Sequence, residues 1–459
     1  MKIKDLFFWL GPIKDNVLEP FGWAFLLLIV FAIPVIRIWW WLFAPLILLP
    51  WAKTLYLWWA GWDKWYKEQK WVLLEITPPK EIEAPFRAME DVFSVVWTIG
   101  DQANWREIYC EGELPLAPYW VSWEIACIEG KIRFYIRCLD VHRHVVESVL
   151  YAHYPDIEIK EAADYTQNVP QDIPNEEWDF YGEDYILRKE DAYPIKTYPS
   201  FFEENVETKE EKRIDPIISL LEGMSRLGPG EQIWIQFITA PILSTDIPWV
   251  DEAQKIISKT ARRSAPKKPK TIGEEMRSIA QEVISGPGTA VKGKETYLSP
   301  ALSPEGLKEM ILTPGEREIL FAIENKIKKA AFKTNIRQIY LAKRDYFKSP
   351  HGKIARSYFP HFATQNLNFI LFSVKTRPKI HYVLRQRRKY YRMRKLFRMY
   401  IQRLPSSFPE LVGHGNMILC TEELATIFHF PTKVGAQLAP SVIVTEAKKG
   451  GPPPTLPTE

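Results

Sequence analysis

Residues 121–139 read Val-Ser-Trp-Glu-Ile-Ala-Cys-Ile-Glu-Gly-Lys-Ile-Arg-Phe-Tyr-Ile-Arg-Cys-Leu, and this stretch decides the fold class. Apolar side chains alternate along its first half and again along its second half, which is the pattern of half-buried β-strands. The Glu-Gly pair at 129–130 interrupts the alternation and is typical of a hairpin turn. The stretch therefore predicts a hairpin with one apolar face. Its other face carries Glu124, Arg133 and Arg137, so that face should be wet or meet a partner.

The segments on both sides extend this hairpin into a β-α-β-β-α-β unit. Apolar residues alternate over Val72–Ile76, which predicts a strand, and helical periodicity follows over Ala84–Val96. After the hairpin, Val141–Tyr151 is again helical and residues 157–159 mark a last strand. This order is the ferredoxin-like arrangement. We therefore expect a first ferredoxin-like domain over residues 63–175.

A second, looser copy of the same order is predicted over residues 176–412. A helix at Pro216–Leu227 precedes another alternating strand, and Thr313-Pro-Gly-Glu316 is a capping box with proline at the first helical position. Between residues 259 and 312 the chain is basic and punctuated by proline, which predicts a flexible insertion. The predicted fold class is thus α+β, with N-terminal membrane helices followed by tandem ferredoxin-like (βαββαβ) domains.

Residues 1–62 predict the membrane helices of this fold class. Between Phe21 and Ala52 the only charged residue is Arg37, and this run is long for one span of about 20 residues but short for two. Tryptophans cluster at its boundaries, as they do in the aromatic belts at headgroup depth. We therefore expect one or two transmembrane helices that anchor the chain in the cytoplasmic (inner) membrane, with the soluble domains on the cytoplasmic side.

Composition and motifs point away from catalysis. The net charge of +4 is too small to indicate nucleic-acid binding by the whole chain. The four cysteines lie far apart, which predicts free thiols rather than a zinc site. Gly288–Lys294 has the spacing of a phosphate loop, but Glu295 stands where Ser or Thr would ligate magnesium. We predict no catalytic, cofactor-binding or metal-ligating residues, and we predict that the chain is not an enzyme.

The strongest local charge feature is the stretch 385–403, which is rich in Arg and Lys and holds no acidic residue. Apolar residues at helical spacing give it one apolar stripe beside a basic face. Such a helix could lie on anionic lipid, touch nucleic-acid phosphates or dock an acidic partner; it could also be a domain helix with a solvated basic face. The candidate partner, phosphate or lipid contacts are Arg385, Arg387, Arg388, Arg392, Arg394, Lys395 and Arg398.

Several segments resemble a known family, namely Lys70–Ile76, Asp191–Tyr198, Gly230–Ile235, Pro314–Glu318 and Cys420–Thr432. They are similar to membrane-anchored bacterial proteins of candidate-phyla lineages, which resemble the non-catalytic N-terminal region of conjugative type IV secretion ATPases. The resemblance implies that residues 413–431 are a segment that precedes a motor domain in fused relatives. Residues 432–459 are predicted to be a disordered Pro-rich tail. No catalytic residue is implied.

Together these observations predict a membrane-anchored, non-catalytic subunit of a type IV secretion or conjugation-like translocation apparatus. It would be the cytoplasmic-face platform for a separate ATPase. The expected partners are the membrane, a separately encoded translocation ATPase and further copies of the chain, with nucleic acid as an indirect partner. The alternative is a membrane-tethered nucleic-acid-binding module that acts through the basic helix 385–403. Co-purification with an ATPase would favour the first hypothesis, and salt-dependent DNA binding the second.

Overall fold

The computed structural model of the protein describes most of the region between residue 59 and residue 431. The described residues are 59–79, 85–101, 103–111, 119–201, 215–243, 249–261, 312–380, 384–404 and 416–431, with a few isolated residues and short groups between 49 and 113. The predicted flexible insertion lies almost entirely outside these ranges, and so do the phosphate-loop-like residues 288–294 and the predicted tail at 432–459.

The described chain alternates between strands and helices. The strands are β1 (Trp71–Thr77), β2 (Val121–Ile128), β3 (Lys131–Leu139), β4 (Glu158–Glu161), β5 (Trp178–Leu187), β6 (Glu231–Ile242), β7 (Ala331–Lys343), β8 (Ile370–Phe372) and β9 (Met417–Cys420). The α-helices are α1 (Tyr66–Glu68), α2 (Pro85–Trp97), α3 (Arg143–His153), α4 (Pro216–Ser225), α5 (Trp249–Thr260), α6 (Pro314–Ile327), α7 (Ile354–Tyr358), α8 (Arg385–Ile401) and α9 (Thr421–Ile427). Short π- or 3₁₀-helical turns lie at Trp59–Trp65, Glu107–Glu111, Asp140–His142, Tyr165–Asn168, Tyr198–Ser200, His351–Lys353 and Phe359–Phe362.

Local sequence signals explain where several of these elements begin and end. The hairpin between β2 and β3 turns at Glu129 and Gly130, which both have positive φ (52° and 82°). A side chain at Gly130 would also lie 3.1 Å from the carbonyl oxygen of Leu227, so glycine suits this turn sterically as well as conformationally. At the start of α6, Thr313 Oγ1 accepts from the backbone N–H of Glu316, and the Glu316 carboxylate accepts from the N–H of Thr313, completing the capping box.

All nine strands belong to one antiparallel sheet. Its order is β4-β1-β3-β2-β6-β7-β5-β8, and β9 pairs with the end of β7 that β5 leaves open. The second half of the sheet mirrors the first. Read from its outer edge to the centre, the first half has the order β4-β1-β3-β2, and the second half, read from its own outer edge, has the corresponding order β8-β5-β7-β6. The two halves join where β2 pairs with β6, from Val121 opposite Thr239 to Ile128 opposite Gln232.

The prediction of tandem ferredoxin-like domains is wrong, because the strands form a single nine-stranded sheet rather than two separate sheets. The alternation of apolar residues correctly predicts that β2 and β6 are strands. It does not indicate which strand pairs with the remaining edge of each. Pairing of β2 with β6 satisfies backbone groups that would otherwise face water or a partner. Buried residues of both halves also belong to one shared core.

That shared core covers one face of the sheet, beneath α2, α3, α4, α7 and α9. Phe93 of α2 lies with its ring centroid 4.8 Å from that of Trp123 on β2 and 6.1 Å from that of Phe332 on β7. The C-terminal Phe428 lies 5.6 Å, centroid to centroid, from both Trp123 and Phe237. The described part of the predicted pre-motor segment, residues 416–431, is thus packed into the centre of the fold.

The prediction of membrane-spanning helices is also contradicted, and with it the inner-membrane location. Among the residues that the structure describes, no helix is both long enough and apolar enough to cross a bilayer. Trp65, just beyond the predicted anchor, is buried against Tyr119, with ring centroids 6.2 Å apart. Residues 1–48 of the predicted anchor lie outside the described part of the chain.

Candidate functional site

The basic helix α8 lies across the second face of the sheet, opposite the shared core. Its apolar stripe is buried: Phe397 packs against Phe180 on β5, with ring centroids 6.0 Å apart, and Tyr400 packs against Trp234 on β6 at 5.6 Å. Met393 and Leu396 complete the buried stripe. The stripe predicted from the sequence therefore exists, and the sheet of the same chain covers it.

The C-terminal end of α8 is held by a buried ion pair. Arg403 donates to both carboxylate oxygens of Glu124 on β2, at 2.7 and 3.1 Å, and the two side chains are 1% and 0% exposed. Arg403 also donates to both oxygens of Asp164, at 2.7 and 3.0 Å. Burial by itself raises the pKa of Glu124, but the charge and hydrogen bonds of Arg403 outweigh it and bring that pKa below its usual value.

A row of buried polar side chains continues this network across the sheet. Glu124, Gln236, Arg337 and Asp184 stand opposite one another on β2, β6, β7 and β5. Gln236 donates to Glu124 at 3.0 Å, and Arg337 donates to Asp184 at 2.8 Å. The face that sequence analysis expected to be wet or to meet a partner is therefore buried around Glu124, where α8 is its partner; Arg337 and Gln236 were not anticipated.

The N-terminal half of α8 is different, because its cations face solvent. Arg385, Arg387 and Arg388 are exposed and lie in the first turn, at the positive end of the helix dipole. Among the residues that the structure describes, no carboxylate pairs with Arg385, Arg387 or Lys389. Cations at a helix N-terminus are unfavourable by roughly 0.3–1 kcal/mol each, and a bound anion would relieve that repulsion.

The other candidate contacts lie further along the helix and are partly covered. Arg392 is half-buried and donates to the carbonyl oxygen of Arg377 at 3.1 Å. Arg394, Lys395 and Arg398 are also half-buried. The structure thus divides the seven predicted contacts into an exposed group in the first turn and a partly covered group that helps to hold the helix.

Two exposed tyrosines stand among these cations and were missed by sequence reasoning. Tyr390 and Tyr391 are 39% and 58% exposed. Arg394 donates to the Tyr390 hydroxyl at 2.6 Å, and the Arg387 guanidinium lies 5.8 Å from the centre of the Tyr391 ring. The Tyr-Tyr pair inside the basic run was the available signal, since basic patches interleaved with aromatics are typical of nucleic-acid surfaces.

A groove of about 440 Å³ runs between residues 174–179 and the first turns of α8. Lys389, Tyr390 and Gln386 line it from the helix. Arg344, which follows β7, lines it from below and donates to the carbonyl oxygen of Asn175 at 2.7 and 3.0 Å. The groove therefore combines cations, the carboxylates of Glu176 and Asp179, an aromatic ring and amide groups next to the exposed first turn.

No metal centre emerges from the described ranges, where no three His, Cys, Asp or Glu side chains are grouped as ligands. A second groove, of about 420 Å³, is lined by Tyr119 and His142, whose rings lie 5.1 Å apart. Burial lowers the pKa of His142, so this ring is neutral at physiological pH. This groove combines apolar side chains with the carboxylate of Asp101 and lacks the cations of the first groove.

Comparison with models of protein families gives a match. The family model described as Domain of unknown function (DUF8128) matches residues 64–436, which is well over half of the chain. A search of curated proteins found no match. The description of the family states no activity, so function has to be argued from the geometry of the site.

Proposed function

The chain belongs to the DUF8128 family, and for this member we propose a non-catalytic role in which the exposed cations of α8 bind the phosphates of nucleic acid. One observation carries the proposal. The apolar stripe of α8 is buried against the sheet, while its first turns expose Arg385, Arg387 and Arg388 together with Tyr390 and Tyr391. A polyanion with aromatic bases complements this combination of positive charge and exposed rings.

The buried stripe also separates this proposal from adsorption to lipid. A helix that lies in a membrane interface inserts its apolar face among the acyl chains. In α8 that face includes Met393, Leu396 and Phe397, all of which are buried in the hydrophobic cluster between α8 and the sheet. Detaching them from the sheet would expose their apolar surface and would also strain the Arg403–Glu124 pair. Phosphate binding requires no such rearrangement.

The exposed tyrosines favour single-stranded over duplex nucleic acid. Bases of a single strand are free to stack on aromatic rings, whereas the bases of a duplex are already stacked on each other. Tyr390 and Tyr391 lie at successive positions, with ring centroids 6.0 Å apart and ring planes at 69°. They therefore offer two differently oriented surfaces beside the same cations.

An acidic protein surface is the competing occupant, for example that of the separately encoded ATPase expected from the family resemblance. A protein partner would bind by shape and by paired charges. It would not bind oligonucleotides with a salt dependence set by the number of phosphate contacts. The two proposals therefore predict different outcomes in one assay.

The test is binding of labelled single-stranded oligonucleotides to the full-length chain, measured by fluorescence anisotropy between about 50 and 200 mM salt. The triple variant Arg385→Gln, Arg387→Gln and Arg388→Gln removes three contacts of about 0.7 in slope each, so log affinity should depend on log salt less steeply by about 2. Wild type should then lose roughly 15- to 20-fold more affinity than the variant across this salt range.

A matched control removes the same charge from another part of the surface. Lys64, Lys131 and Lys255 are exposed and lie outside α8. Changing all three to Gln should leave the salt slope unchanged. Absence of oligonucleotide binding by wild type at about 50 mM salt would overturn the proposal, and so would equal effects of the two triple variants.

A further inference from the structure

Building on the proposed function, we propose that the groove beside α8 binds one base of the single strand, with preference for guanine. The groove volume of about 440 Å³ lies within the range of about 300–1,000 Å³ typical of small-ligand sites. Gln386, Lys389 and Tyr390 line the groove, and they lie within the same two turns of the helix as the exposed Arg385 and Arg387. A base in the groove would therefore leave its phosphates beside those two cations.

Tyr390 provides the stacking surface. Its hydroxyl accepts a hydrogen bond from Arg394 Nη1 at 2.6 Å, and its ring meets that of Tyr391 at 69°. These contacts fix the ring before any ligand arrives, so little side-chain freedom remains to be lost on binding. With 39% of the residue exposed on the groove side of the helix, the ring is accessible to a base.

The polar groups of the groove include both acceptors and donors. Glu176 and Asp179 contribute carboxylates, while Lys389, Arg344 and Gln386 contribute donors. In the described part of the chain, neither Glu176 nor Gln386 has a side-chain partner. Arg344 uses Nε and Nη2 on the carbonyl oxygen of Asn175, so its Nη1 donors are not engaged in those two bonds.

Guanine matches this set better than thymine does. Its N1–H and N2–H groups are adjacent donors that a single carboxylate accepts together, as a guanidinium fork is accepted. Its O6 and N7 atoms are adjacent acceptors, which Arg or Lys side chains read in protein–DNA complexes. Thymine offers one N–H donor between two carbonyl oxygens, so it would place those oxygens against Glu176 or Asp179 without compensation.

The test uses the full-length chain and labelled oligothymidine strands that are identical except at one central position. That position is thymine, guanine or an abasic site. Wild type should bind the guanine strand about tenfold more tightly than the thymine strand, the discrimination expected of one bidentate base contact. Tyr390→Ala should abolish the preference but keep the salt slope, because the phosphate contacts of Arg385 and Arg387 remain.

Three further variants distinguish base binding from a general effect. Tyr390→Phe keeps the stacking ring and should retain the preference, and Tyr391→Ala, outside the groove, should retain it too. Glu176→Gln should reduce the preference by about threefold or more, since an amide accepts at only one atom. Equal binding of the three strands by wild type, with the salt slope intact, would overturn the guanine site and leave the proposed function standing. Loss of all salt-dependent binding would overturn both.

Discussion

Replacing Arg403 by Met should destabilise the protein strongly, because it leaves the fully buried carboxylate of Glu124 without its counter-charge. Methionine keeps most of the apolar volume of the arginine side chain, so the lost ion pair dominates the change. Removing one partner of a buried pair costs about 3–5 kcal/mol. Ser122, Tyr165 and Gln236 still donate to Glu124, at 2.6, 2.7 and 3.0 Å. These neutral donors should keep the cost near the lower end, at about 3 kcal/mol.

A double-mutant cycle separates the charge effect from packing. In the variant that combines Glu124→Gln with Arg403→Met, both buried charges are gone, and the combined cost should fall to about 1 kcal/mol. Asp164, 31% exposed at its side chain, stays solvated and adds little. The measurement is the free energy of unfolding in urea for wild type, both single variants and the double variant. A cost below about 1 kcal/mol for Arg403→Met would refute the reasoning, and so would simple additivity of the two changes.

The same pair predicts an opposite dependence on pH in the two proteins. The pKa of Glu124 is lowered in the folded wild type, so its contribution to stability is fully present above the usual value of 4.5 and is lost as the pH falls through the folded pKa. In Arg403→Met the charge and hydrogen bonds of the arginine are gone, so burial should outweigh the remaining hydrogen bonds from Ser122 and Tyr165 and raise the pKa of Glu124. That variant should therefore gain stability relative to wild type on acidification, as measured by urea unfolding at pH 7 and near pH 5.

Two further predictions concern the core and the thiols. Phe428→Ala should lower the free energy of unfolding in urea by about 3–5 kcal/mol. Phe321→Ala, at a residue that is 65% exposed, should lower it by under about 0.5 kcal/mol. Similar losses for the two variants would contradict the central position of Phe428. Of the four cysteines, only Cys110 is exposed, and burial raises the pKa of the Cys127 thiol to about 12. One thiol should react quickly with an aromatic disulfide in the native protein and four after denaturation; two fast thiols would contradict this burial pattern.

The position of α8 connects the predictions on Arg403 with the proposed function. The Arg403 pair fixes the C-terminal end of the helix, and Phe397 and Tyr400 fix its middle. The first turns then extend as a rigid support for Arg385 and Arg387. We therefore expect Arg403→Met to weaken oligonucleotide binding only if it also loosens the packing of α8 on the sheet. The triple Gln variant, in contrast, should weaken binding in a fully folded protein.

The sequence by itself determined the local elements. The turn at 129–130 and the alternation on either side of it specify the β2–β3 hairpin, and Thr313 with Glu316 specifies the start of α6. The stretch 385–403 likewise specifies a helix with one apolar stripe and one basic face, and α8 forms there. Each of these signals acts between residues a few positions apart, so neighbouring side chains and backbone geometry are sufficient to decide it.

Only the tertiary structure decided how these elements meet. Alternation cannot tell whether the second edge of β2 faces water or β6, so the sequence pattern predicts tandem domains where the structure has a single sheet. Nor does composition reveal that Arg403 neutralises Glu124, which lies 279 positions earlier in the chain. An unpaired strand edge or an unpaired buried charge costs free energy wherever its partner lies in the sequence. The partner can therefore come from a distant part of the chain, and only the folded structure shows which part that is.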